Sequence, residues 1–430
     1  MSTLRWTSGR GAQRGAATLV IVMVLFLIMA LLAAYANRAL LFEQRISTSY
    51  YRASVAQEAA EAGLEWAVAQ LNGGAVNGNC VPVTTGGTRF VDRYLTVSAE
   101  DRGIKQSGAG GVNRIVADCM KSSTGWNCRC PALGAWAAPA SASGTGITPS
   151  FGIYLKRITF PVNPGGSMLL QSQGCTNSVA STCETQDSTA RTSEGSSLLD
   201  ATIALVSAVR SPPAAPLVVK GNVTVTGTGL GLHNTDPRSA GLLYDVGGTV
   251  SGFNDSRLDS VPGTSPAQAR ISSDSTLTAG GVDVFRMFMG APAARYKNHP
   301  SLRTVTCSGD CAPDLAAAYT AGKRIMWVEG NLTIESSVVL GTSTDPVVII
   351  ATGDITLTGA FQLNGMLVAR GNVGWTNSAG TSLINGMLLV EGNLETSGAM
   401  DIAYQQSMAN QLRNRVGSFV RVPGGWTDMH

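Results

Sequence analysis

Between Ala16 and Asn72 the chain has no proline and a single glycine, Gly63, and this stretch constrains the fold more than any other. Its first part, Ala16 to Ala36, is 21 residues without a charge. As a helix, a run of about 20 residues crosses the hydrocarbon core of a bilayer. Arg5, Arg10 and Arg14 precede it with no acid among them, which predicts a cytoplasmic N-terminus by the positive-inside bias. A cleaved signal peptide has a shorter apolar core and a small-x-small site, and here the helical pattern does not stop where the apolar run ends. Ile46, Tyr50, Ala53, Ala56, Ala60, Leu64, Ala67 and Leu71 recur at spacings of three and four, one stripe of an amphipathic helix, with Arg45, Glu58, Glu61 and Glu65 off the stripe. Asn72-Gly73-Gly74 is a stop signal. Residues 16–72 therefore read as one helix of about 85 Å at ~1.5 Å per residue, half made for lipid or an apolar bundle and half for docking on a globular domain.

Two blocks within this helix carry a family resemblance. Gln13-Arg14-Gly15 followed by Ala16-Ala17-Thr18-Leu19-Val20-Ile21-Val22 resembles a class III prepilin leader and the start of a mature pilin helix. Leu41-Phe42-Glu43-Gln44-Arg45-Ile46, with the Ala-rich block Ala56-Gln57-Glu58-Ala59-Ala60-Glu61-Ala62-Gly63-Leu64, resembles the N-terminal region of PilX-like minor pilins of type IV pili. The resemblance covers about the first 70 residues of 430. It implies cleavage by a prepilin peptidase after Gly15 and methylation of the new Ala16 amine. It also implies residence in the inner membrane as a single-pass protein, then incorporation into an extracellular pilus. The implied partners are the major pilin, other minor pilins, the prepilin peptidase and the inner-membrane assembly platform. Most pilins carry glutamate at the fifth mature position, and here that residue is Val20. PilX-like proteins and the K-type minor pseudopilin of type II secretion often lack it, so Val20 is expected in a subunit that caps or primes a filament.

Eight cysteines, Cys80, Cys119, Cys128, Cys130, Cys175, Cys183, Cys307 and Cys311, all follow the apolar segment. In an exported region an even count predicts up to four disulfides. Cys307 and Cys311, and Cys175 and Cys183, are near enough to close local loops. Cys128-Arg129-Cys130 is too tight to pair with itself easily; each reaches elsewhere, with Cys80 and Cys119 as candidates and the connectivity open. No Cys-x2-Cys pair or nearby histidine supports zinc.

The second strong signal is a repeat. Asn364 to Val373 recurs as Asn385 to Leu394, with weaker copies at Ile325 to Leu332 and Val347 to Ile355 and an outlying one at Leu217 to Val225. Each is an apolar strand, a short link, Gly, Asn or Asp, then an apolar residue. Gly330, Gly353, Gly371 and Gly392 are about 20 residues apart, the period of a solenoid. A parallel β-helix of four rungs over 325–400 fits, begun by the strand near 217–226, with 231–320 as an insertion. Asn331, Asp354, Asn372 and Asn393 fall at equivalent corners, where stacking in a turn ladder is expected. Asp401 to Arg415 reads as a helix capping the open end. In the middle region, 89–98 and 151–160 read as strands and 186–200 as a loop.

The expected layout is a leader (1–15), the membrane and filament helix (16–72), a Cys-rich head (73–210), a β segment with an insertion (211–324), β-helix repeats (325–400) and a cap or tail (401–430). The fold class is α+β, mostly β: a long pilin-type helix, a small disulfide-rich α+β head and a short parallel β-helix-like solenoid. Charged residues are 14%, below the roughly 25% of an average domain. The net charge of +3 carries no basic block, which argues against nucleic acid as a partner. His233, His299 and His430 lie far apart. The acids near the rungs (Glu329, Glu335, Asp345, Asp354, Glu391, Glu395, Asp401) form no cluster of the kind a β-helix lyase or hydrolase needs. No enzyme, cofactor or metal is expected. The function expected is a minor pilin at or near the filament tip, priming or capping assembly, its C-terminal region exposed for adhesion. The alternatives are a membrane-anchored periplasmic β-helix protein that binds or processes carbohydrate, with Trp327, Trp375 and Trp426 as stacking surfaces, or a K-type minor pseudopilin.

Overall fold

The computed structural model describes residues 14–107, 115–131, 147–156, 165–177, 183, 194–227, 229–376 and 380–429. The chain divides into two compact units, Met1–Val55 and Ala56–His430, the division falling within helix Arg14–Leu71. In the first unit the helix is apolar and exposed over residues 17–36, Val20 at 58% and Phe26 at 72%. It is long and apolar enough to cross a membrane by length and composition.

The second unit holds a head and a solenoid. The head is a six-stranded antiparallel sheet in the order Gly417–Met429, Ser196–Ser207, Ser167–Cys175, Ser150–Lys156, Ile115–Ser122, Gly125–Arg129. The predicted helix stripe is buried on it from Ala56 onward: Ala60, Leu64, Ala67 and Leu71 meet Phe90, Phe151, Ile153, Leu170 and Leu199. Each large side chain fully buried there contributes about 2–3 kcal/mol. Ile46 and Tyr50, in the first unit, are exposed. Three disulfides staple the head, Cys80–Cys130, Cys119–Cys128 and Cys175–Cys183.

Two local expectations are corrected here. The strand read over 89–98 is broken by a helical turn, Phe90–Tyr94, because Phe90 and Tyr94 are both buried four residues apart. Period four overrides the alternation. The loop read over 186–200 is strand from Ser196; 186–193 lie outside the described residues, as do 157–160 of the strand read over 151–160.

The solenoid is a parallel β-helix of two hydrogen-bonded sheets; the first, of twelve strands, includes the face built from Leu217–Val219, Tyr244–Val246, Ile325–Val328, Val347–Ala351 and residues 365–369 and 386–390, called the first sheet below. Its second sheet contains six strands, in the order Val250–Ser251, Val223–Thr226, Leu394–Ser397, Val373–Trp375, Ile355–Leu357, Leu332–Ile334, so the described residues make six turns. Four of these fall between 325 and 403. Leu217–Val219 pairs with 388–390 of Ser382–Val390, and Val223–Thr226 pairs with Leu394–Ser397. The outlying copy thus follows the last repeat in space and does not begin the solenoid. Residues 231–320 are not one insertion: Leu230–His233 completes the fifth turn, and Tyr244–Val246, Val250–Ser251 and Leu258–Asp259 form the sixth. From Arg270–Ile271 the chain crosses back over the first sheet as a strap of short helices, Ser275–Thr278, Val284–Met289 and Ala293–Tyr296, and re-enters at Leu302–Thr304, beside Ile325–Val328.

This crossing explains why the first-sheet strands are apolar throughout. Leu217, Met326, Ile349, Leu367 and Leu388 point inward. Val218, Trp327, Ile350, Val368 and Leu389 point outward and are covered by Leu277, Phe285, Met289 and Tyr296 of the strap and by Met408 and Leu412. A sheet buried on both faces has no polar alternation to keep. The second sheet faces solvent and does alternate, as in Leu332-Thr333-Ile334.

The cap is also reassigned. Met400–Ala403 is strand, and helix Gln406–Asn414 lies on the outer face of the first sheet. The interior is plugged instead by Ala312, Leu315 and Ala318 of helix Ala312–Thr320, entered through the Cys307–Cys311 loop. The segment after 416 is no free tail but the edge strand of the head. The solenoid is therefore inserted between two adjacent strands of the head sheet, where Ser207 pairs with Gly417.

Candidate functional site

The residues expected to undergo processing sit on the N-terminal helix: Gly15 and Ala16 in its first turn by backbone, and Val20 on the exposed apolar surface. The cysteines form the four pairs described above, with none free.

The joint between head and solenoid is built on Asn72, just after the long helix ends. Its side-chain amide donates to Val68 O at 2.9 Å and Phe419 O at 2.8 Å. Its oxygen accepts from Phe419 N at 2.8 Å and from the Ser301 hydroxyl at 2.8 Å. Arg303 donates to the Asn72 carbonyl at 2.8 Å. One buried side chain thus ties the helix, the returning head strand and the first turn of the solenoid. Beside it, Arg89 from the head and Arg324 from the solenoid both contact Asp345, at 3.2 and 2.7 Å. Burial opposes ionisation of Asp345, but hydrogen bonds from Arg324 and the charges of Arg89, Arg324 and Arg415 outweigh it and hold the carboxyl below its usual range. Asn72 escaped sequence reasoning because, next to two glycines, it reads as a stop signal.

The corner ladder runs through Asn331, Asp354, Asn372 and Asn393, as the repeat predicts, and beyond. Asp354 N donates to Asn331 Oδ1 at 2.9 Å, Asn372 N to Asp354 Oδ1 at 2.7 Å and Asn393 N to Asn372 Oδ1 at 2.9 Å. Asn222 N then donates to Asn393 Oδ1 at 2.8 Å and Thr249 N to Asn222 Oδ1 at 2.9 Å. The preceding glycine makes room: a Cβ on Gly353 would lie 2.2 Å from Asn331 Oδ1. These side chains are occupied by the turn.

Just before the corner glycine in the first five turns stand Glu329, Thr352, Arg370, Glu391 and Lys220. Glu391 accepts from Arg370 at 3.0 Å and from the Phe285 amide at 3.1 Å, and Lys220 donates to Val282 O at 3.1 Å, so this row fastens the strap. A cluster that the sequence did not reveal joins three turns: His233 lies 2.6 Å from Asp259 and 3.1 Å from Asp401, and Arg257 lies 2.7 Å from Asp401. Register, not spacing, brings these residues together. Trp327 and Trp375 are buried, at 3% and 0% exposure, so neither is a sugar-stacking surface; the Trp426 side chain lies outside the described residues. Among the described residues no group of three or more His, Cys, Asp or Glu is placed to hold a metal ion.

Residues 14–65 match the family described as PilX N-terminal. No curated protein matches the chain. Among solved structures, the competence-associated pilin ComZ from Thermus thermophilus is similar at 10% identity over 88% of this chain and 96% of that one, with a TM-score of 0.20, too loose a superposition to bear on fold or function.

Proposed function

We propose that this chain, PilX-like over residues 14–65, is a minor pilin that primes or caps a type IV filament at or near its tip and presents the solenoid to a surface or partner. The observation that carries this reading is the insertion point. The head sheet is complete around the solenoid, which leaves and re-enters it at the paired residues Ser207 and Gly417 and is tied at Asn72, where the long helix ends. The apolar N-terminal helix fits membrane anchoring before assembly and bundle contacts after it. Val20, in place of an acid, fits a subunit with no neighbour above it to satisfy. The proposed partners are the major pilin, other minor pilins, the peptidase and the assembly platform.

The role is structural and non-enzymatic. Asp345, Asp354, Glu329 and Glu391 all hold the fold, in ion pairs or corner bonds, and this speaks against a catalytic use for them.

The test is the N-terminal mass of the protein from membranes, with and without prepilin peptidase. A mature chain starting at methylated Ala16 is expected; an intact Met1 or a cut beyond Ala36 overturns the reading. Immunogold label against the solenoid is expected at filament ends, and label along the shaft removes the tip assignment.

A further inference from the structure

Among the described residues, nine arginines of the second unit have charged or carbonyl partners. Arg89, Arg257, Arg270, Arg324, Arg370 and Arg421 face carboxylates. Arg93, Arg303 and Arg415 donate to backbone carbonyls. Arg102, Arg210 and Arg295 share another feature: all three line one cavity of about 550 Å³ where the head meets the strap, and among the described residues no Asp or Glu lines it. They come from three places in the fold. Arg102 is on the loop between Leu95–Val97 and Ile104–Gln106, Arg210 on the link leaving the head, and Arg295 on helix Ala293–Tyr296.

The cluster is partly pinned. Arg102 donates to Leu205 O, and its Nε is buried without a hydrogen-bond partner. Burial, then the charge of Arg413, pull Arg102 below the ordinary arginine range. The Arg210 stem crosses Gly290, where an added Cβ would lie 2.7 Å from Arg210 Cδ. Like charges gathered around a cavity repel, and an anion held among them reverses the sign of that interaction. Guanidinium forks match tetrahedral oxyanions in shape and charge. The volume lies in the ~300–1,000 Å³ range of small-ligand sites and exceeds what a bare ion fills. The rest of the lining, including Val206, Met289 and Ala291, offers apolar surface beside the arginines.

The geometry points to an oxyanion site at this joint, in which Arg102, Arg210 and Arg295 hold a phosphate or sulfate group, free or as the ester end of a sugar. A ligand there touches head, link and solenoid at once, so its binding stiffens the connection between them. The inference stands apart from whether the helix enters a filament.

The test is thermal unfolding of the full-length protein in detergent, with inorganic phosphate, glucose 6-phosphate or sodium chloride at matched ionic strength. Both phosphate ligands are expected to raise the midpoint over chloride. The rise is expected to vanish in Arg210→Ala and Arg295→Ala, at exposed positions where folding tolerates the change, and to persist in Arg238→Ala, also exposed but outside the cavity. Saturation by glucose 6-phosphate at a tenfold or more lower concentration than phosphate assigns the site to an ester, and equal saturation assigns it to the free ion. No rise over chloride, or the same rise in both cavity variants, overturns the proposal.

Discussion

Asn72 makes four side-chain hydrogen bonds from one buried position, and no other residue type offers two donors and an acceptor in that shape. Asn72→Ala leaves Phe419 N and O and the Ser301 hydroxyl without these partners and is expected to cost about 3 kcal/mol, read as a lowered denaturant midpoint. Asp245 shows the opposite case. Burial first, and the neighbouring Asp274 second, push its carboxyl up to about 6. The folded state therefore holds this proton more tightly than the unfolded state. Stability is full below the ordinary value of 3.8 and is lost as pH rises through about 6. Asp245→Asn is expected to raise the thermal midpoint at pH 7 and leave it unchanged at pH 3.5. The gain stays within about 1 kcal/mol because water screens a half-exposed group.

Elements were legible where one local rule decides them. The long helix follows from absent breakers and a stripe, and the turns over 325–403 follow from a Gly-Asn or Gly-Asp corner that repeats because each Asn needs the next glycine. The sixth turn escaped because its corner is Gly247-Gly248-Thr249, which receives the ladder without continuing it. The winding order escaped for a deeper reason. Pairing of 217–219 with 388–390 is set by what lies beside each edge in space, and no local pattern records it. A second corner shows how tightly turns approach. Gly365 sits at φ +149, with a hypothetical Cβ only 1.9 Å from Val347 O, and Gly386 repeats the arrangement one turn on. Gly365→Ala is expected to cost more than about 3 kcal/mol through strain and displaced backbone, seen as loss of the cooperative unfolding transition of the solenoid.

For the whole molecule, the insertion makes a separable prediction. Removing 208–416 and joining Ser207 to Gly417 by a short turn is expected to leave a folded head with Cys80–Cys130, Cys119–Cys128 and Cys175–Cys183 intact, checked by disulfide mapping and circular dichroism. Truncation after Val416 strips an edge strand and is expected to destabilise the head. The joint has its own pH signature. Since the folded state holds Asp345 below its usual range, the stability this carboxylate adds is present above 3.8 and is lost as pH falls lower. Asp345→Asn is expected to flatten that acid limb in a pH series of thermal midpoints.

The winding order also bears on when the chain can fold. Residues 217–271 are synthesised well before 302–403, yet the turn at 217–233 stacks on the turn that ends at 403, and Asn222 bonds Asn393 across 171 residues. Contacts so distant form slowly. Until they form, the early turns present an unpaired strand edge to any neighbouring copy. The stretch 386–429, made later than all of these, supplies both the turn that joins the two halves of the solenoid and the strand that completes the head. Both parts of the second unit therefore wait on the same late segment, and a chain halted before it has finished neither.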